Sequence, residues 1–162
     1  MKILSILALT LAIPAGAAQA HISADPREAP AGGYQAVRFR VGHGCHDTAA
    51  TTAVRIEMPA GLKAARPQPK PGWALAIERD ATGTVTAVTW QGRLPADEFD
   101  EFAVYLRAPD APGVLYFPTM QTCGSEAEQW TEISAPGAAA RLSHPAPSLR
   151  LTPTAPETGH HH

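Results

Sequence analysis

Seven histidines, two cysteines and a handful of acids are the residues of this chain best suited to hold or transform a ligand. The most telling of them is His21, because of what precedes it. In "LAIPAGAAQAHISADP" an apolar run ends in Ala18-Gln19-Ala20, the small-x-small pattern at which export signals are cut. A cut there makes His21 the first residue. A histidine with a free α-amine offers two nitrogens, the amine and Nδ1, which together close a chelate ring on a metal. A terminal amine has a reference pKa of about 7.7–8.0, so a strongly bound metal displaces its proton near neutrality. Among divalent first-row ions Cu²⁺ heads the affinity order, and it favours nitrogen donors in a tetragonal plane. Ser23 stands third, which excludes the terminal tripeptide motif that needs histidine there. One residue supplies two ligands only, so the folded body must bring the rest. The plain alternative is that cleavage exposes whatever residue comes next.

The second group is "HGCHD", with Cys45 between His43 and His46 and followed by Asp47. Cys123 is the only other cysteine. Two cysteines behind an export signal most simply form one disulfide. The alternative is a metal site built on Cys45 and its flanking histidines. Only Met58 and Met120 follow the expected cut, so no methionine cluster for Cu(I) is present. Asp100 and Glu101 are adjacent acids, and neighbours on a strand face opposite sides, which weakens them as an acid–base couple.

Residues 1–20 read as a secretory signal: Lys2 gives the positive start, and residues 3–13 are apolar but too short to span a bilayer. A cut after Ala15-Gly16-Ala17 is the competing position, and no lipid-modified cysteine follows either site. About 140 residues then remain, enough for one domain with a single core. No later apolar run anchors the processed chain. With 13 Lys+Arg against 15 Asp+Glu and the basic residues scattered, nothing points to nucleic acid.

The elements that must position these groups have period two. "YQAVRFRV", "TAVRIEMP", "WALAIER", "VTAVTW", "FAVYLRAP", "GVLYFPTM", "EQWTEI" and "SLRL" alternate apolar and polar residues, as half-buried antiparallel strands do. The 13 glycines and 16 prolines fall largely between these runs. No window makes an amphipathic helix of useful length. Seven to eight short strands predict an all-β chain, a single antiparallel β-sandwich of cupredoxin or immunoglobulin type. Beyond Leu151 the composition shifts to Pro and Thr, and residues 152–162 are expected to be a disordered tail.

From His21 to Leu151 the chain resembles the YcnI-like family, a secreted copper-binding β-domain once known only as a domain of unknown function. The likeness runs in order through "AHISADPREAPAGGYQAVRFRVGHGCHDTAATTAVRIEMPAG", "ARPQPKPGWAL", "VTWQGRLPADEFDEFAVYLRAP", "LYFPTMQTCGSEAEQWTEI" and "HPAPSLRL". It implies a mature N-terminal histidine that binds Cu(II) through amine and ring, here His21. It implies a tryptophan beside the metal after the second cysteine, here Trp130. A neutral indole N–H donates and has no free lone pair, so Trp130 would serve as a wall or π-face and not as a ligand atom. An acid should complete the charge on Cu²⁺, and Glu128, Glu101 and Asp25 are candidates. Two positions depart from the family pattern. His46 and Asp47 follow Cys45 as either a solvated loop or an accessory ligand pair. Gly124 follows Cys123 where an acid is expected, a charge that Glu126 or Glu128 can restore.

The resulting expectation is a periplasmic or secreted Cu(II)-binding protein, not an enzyme. It would buffer copper or deliver it to another copper-trafficking protein or a membrane copper transporter. The alternatives are a copper-dependent oxidative enzyme, whose two-histidine brace would take His43, His46 or His144 as its second ligand, and a metal-free structural sandwich.

Overall fold

The computed structural model describes residues 21–46, 48–135 and 142–154. The expected signal (residues 1–20), Asp47 and residues 155–162 of the expected tail lie outside them. The described residues form twelve strands: β1 (Ser23–Asp25), β2 (Glu28–Pro30), β3 (Tyr34–Val41), β4 (Thr51–Glu57), β5 (Ala64–Pro67), β6 (Ala74–Arg79), β7 (Val85–Leu94), β8 (Asp100–Arg107), β9 (Gly113–Tyr116), β10 (Thr119–Cys123), β11 (Glu126–Trp130) and β12 (Ser148–Thr152). They hydrogen-bond into a four-stranded sheet β1-β3-β8-β5, a five-stranded sheet β11-β10-β4-β7-β6 and a three-stranded sheet β2-β12-β9. No described helix is long and apolar enough to cross a membrane.

Alternation in the sequence becomes the inside and outside of these sheets. Val37, Phe39 and Val41 of β3 are buried, as are Phe102, Val104 and Leu106 of β8, while the residues between them face out. Val54 and Ile56 of β4 and Val88 and Trp90 of β7 supply the opposite inner face. Phe39 packs edge-on to Phe117 at 5.0 Å, and Phe102 meets Trp73 at 4.9 Å and Trp90 at 5.5 Å. Each such side chain contributes roughly 2 kcal/mol by leaving water. The Trp90 indole N–H donates to Gln68 O at 3.0 Å, so its one polar atom is satisfied.

The all-β sandwich reading holds, with twelve strands in place of seven to eight. Three were not legible: β1 and β2 are three residues each, too short to show alternation, and β5 runs into the proline-rich "ARPQPKPGWAL", which shows no alternation. β5 pairs with β8 at a sheet edge, where Pro67 leaves no required donor unmet. "GVLYFPTM" is two strands. β9 pairs with β12 and β10 with β4, and the chain changes sheet at Phe117-Pro118, where Phe117 N donates to Pro147 O and Glu57 N to Pro118 O. The sandwich is not wholly antiparallel, because β12 runs parallel to β2. Alternation in "WALAIER" puts Ile77 on one side with Trp73 and Leu75, but Ile77 is exposed on β6, the edge strand of its sheet.

The chain stays ordered past the point where composition changes. Thr152 belongs to β12, its carbonyl accepts from Ala31 N at 2.9 Å, and Thr154 Oγ1 donates to Ala31 O at 2.9 Å. Pairing with the β2 edge overrides the local Pro/Thr bias.

Candidate metal centre

Two short segments meet at the centre. His21 lies two residues before the start of β1, which is tied to β3 through Ser23 opposite Arg40. Trp130 ends β11, opposite Thr119 of β10. The histidine and indole rings lie 5.8 Å apart in an edge-to-face arrangement. The His144 ring lies 5.1 Å from the same indole. Trp130 is almost fully buried, and its N–H donates to Gln121 Oε1 at 3.3 Å. That bond removes the indole nitrogen from any role toward a metal and leaves the ring surface to the histidines. His21 Nδ1 is buried and has no hydrogen-bond partner.

Gln121 is the residue the sequence reading passed over. It is a fully buried amide whose Nε2 donates to His43 O and Thr51 Oγ1, both at 2.8 Å. It therefore joins the "HGCHD" loop, β4 and Trp130 in one network. The available signal was a polar residue at the inward position of β10, between Thr119 and Cys123. Gln121→Leu leaves Trp130 N–H, His43 O and the Thr51 hydroxyl without this partner. A loss of about 1–3 kcal/mol is expected, read as a lower urea midpoint. Unchanged stability would show that the network does not hold the indole.

Cys45 and Cys123 form a disulfide across 78 positions, so the sulfurs are not a metal site. The bridge brings the loop of His43 and His46 to the end of β10. Gly44 allows the approach, since a Cβ there would lie 1.9 Å from Ala49 O. Gly124, in place of the expected acid, has φ +66° and opens a two-residue hairpin between β10 and β11. The turn demands that conformation, which glycine reaches without cost.

The candidate acids are not gathered around His21. Asp25 is ion-paired to Arg38, which lifts the guanidinium pKa above its ordinary value, first by the hydrogen bond and then by charge. Glu101 accepts from Arg40 Nε at 3.0 Å and Nη2 at 2.7 Å and lies 3.6 Å from Arg38. Glu128 shares a strand face with Trp130 but accepts from the backbone N of His46 at 2.9 Å. His46 stands at φ +50°, a strained setting for a side-chain-bearing residue. Its ring lies 3.7 Å from both Glu126 and Glu128 and is largely exposed. His43 is turned to Gly44 O. Among the described residues no group of three or more His, Cys, Asp or Glu is placed to enclose a metal. What the fold brings together is a ring cluster of His21, Trp130 and His144.

The family model described as "Domain of unknown function (DUF1775)" matches residues 21–151. The chain belongs to this family. The YcnI-like resemblance therefore holds, and the matched region opens at His21. Over 96 residues, 57% of this chain, it is 28% identical to "Copper-binding protein CutI" of Bacillus subtilis (strain 168). The match spans 46% of that relative's length. A solved structure is also similar, at 32% identity and TM-score 0.70, covering 81% of this chain and 97% of the other. It is described as an uncharacterized protein from Nocardia farcinica with an immunoglobulin-like fold. This family member thus shares the immunoglobulin-like sandwich.

Proposed function

We propose that the chain, processed so that His21 is its first residue, binds Cu(II) through the His21 amine and Nδ1, with Trp130 as a wall. The observation that carries this reading is the buried, unpartnered Nδ1 in ring contact with Trp130. Leaving such an atom unsatisfied costs about 1–3 kcal/mol, and a metal ion relieves that cost. The donor set fits the ion, because an amine and an imidazole are ligands that Cu²⁺ prefers. The naming of CutI as a copper-binding protein supports the same reading.

The disulfide fits an oxidising compartment, in keeping with export. A site on one terminal residue, open on one side, suits a protein that buffers copper and hands it to another trafficking protein or a membrane transporter. We assign it binding and not catalysis.

The test is a Cu(II) titration of the processed protein lacking residues 155–162, so that the terminal histidines contribute nothing. Copper must displace the amine proton, so apparent affinity is expected to rise steeply between pH 6 and 8. A flat response between pH 7 and 8, or loss of binding with the tail, would show that His21 is not the anchor. A two-histidine site is the second reading, favoured by the 5.1 Å contact of His144 with Trp130. Two protein imidazoles in the copper spectrum, one of them lost in His144→Ala, would establish it.

A further inference from the structure

A cleft of about 480 Å³ opens beside His21, between β1 and the outer face of β9 and β12. Its walls include Val114, Tyr116 and Pro147, and its cations are Arg27 and Arg150. Among the described residues, no acid lines it. Arg150 is ion-paired to Glu28 in an exposed, weak contact, and Arg27 has no ion-pair partner among the described residues. With Glu28 offsetting Arg150, the excess positive charge at the cleft is that of Arg27, on a chain whose formal net charge is −2. A concave site of that sign draws anions and raises their local concentration.

Copper on His21 would gain from such a ligand. Amine and imidazole are both neutral donors, so the doubly charged ion has no protein charge to balance it. The candidate acids of the sequence have partners of their own: Asp25 with Arg38, in a pair nearly as exposed as Arg150 with Glu28, Glu101 with Arg40, and Glu128 with the His46 backbone. We propose that the cleft is a carboxylate-binding site whose occupant is gripped by Arg27 and Arg150 and presented to the metal at His21. Guanidinium groups suit this task because their paired N–H donors match a carboxylate's two oxygens. The presentation step rests on the copper reading above; the carboxylate site itself does not. The carboxylate has two sources, a free small acid or an Asp or Glu side chain of a protein that exchanges copper.

The experiment titrates two probes, succinate and the blocked peptide acetyl-Ala-Asp-Ala-Glu-Ala-amide, into the processed, copper-free protein. Backbone amide shifts are followed by NMR. Shifts confined to Ile22, Val114, Tyr116 and Ser148 are expected. Binding should weaken at least ten-fold in the Arg27→Ala/Arg150→Ala double variant. It should be unchanged in Arg66→Ala, which removes a cation from a separate basic cleft lined also by Lys63 and Arg79. Binding of succinate assigns a small acid, and binding of the peptide alone assigns a protein segment. Shifts absent with both probes, or equal weakening in Arg66→Ala, would overturn the site. Repeating the titration with one equivalent of Cu(II) tests presentation, because the bound carboxylate must then alter the copper EPR spectrum. An unaltered spectrum with the cleft occupied overturns that step. Failure to bind copper while the shifts persist overturns only the metal reading.

Discussion

One residue left ahead of His21 is expected to weaken Cu(II) binding by about a hundred-fold or more, ~2.7 kcal/mol. The extension changes no side chain and disturbs no strand, since β1 starts only at Ser23. It converts the His21 nitrogen from a basic amine into an amide. The chelate ring opens, and the imidazole is left to hold the ion alone. His21→Ala should lose tight binding to a similar degree, by removing the other half of the chelate. His46→Ala should change little, because its largely exposed ring faces Glu126 and Glu128. The measurement is a competition titration against a calibrated Cu(II) chelator, on chains whose first residue has been verified by mass spectrometry. Equal affinity of the processed and extended proteins would remove the amine from the site.

Replacing both cysteines, Cys45→Ala with Cys123→Ala, is expected to cost roughly 4 kcal/mol of stability. That is the chain-entropy value for releasing a loop spanning 78 positions. A domain of this kind holds only about 5–15 kcal/mol in total, so the effect is a large share of its margin. The bridge also places the His43–His46 loop where Gln121 and Glu128 meet its backbone. Urea unfolding of the double variant, with and without reductant, reads the loss directly. Where the variant stays folded, Cu(II) affinity should be retained, since neither sulfur is free to reach the metal. An unchanged urea midpoint, or a sulfur-to-copper charge-transfer band in the wild-type protein, would contradict this account.

The sequence by itself determined the fold class and its inner face. Alternation in "YQAVRFRV" and "FAVYLRAP" names Phe39, Val104 and Leu106 as core, because a strand of period two has no other way to bury them. It left the cysteines as a disulfide or a metal site, and the fold makes them a disulfide; the family resemblance paired His21 with Trp130, and the two rings are in contact. How the other candidates are used emerges from contacts between strands. Asp25, Glu101 and Glu128 read alike as acids, and their neighbours in space, Arg38, Arg40 and the His46 N–H, come from other strands or from a loop far away in the chain. Gln121 as the anchor of the indole, and the cleft lined by His21, Arg27 and Arg150, likewise depend on pairing between strands: β10 with β11 for the first, and β12 beside the segment around β1 for the second. Periodicity reports which way a side chain points from its own strand. It carries no information about which strand lies opposite, and the partners of these acids are set there.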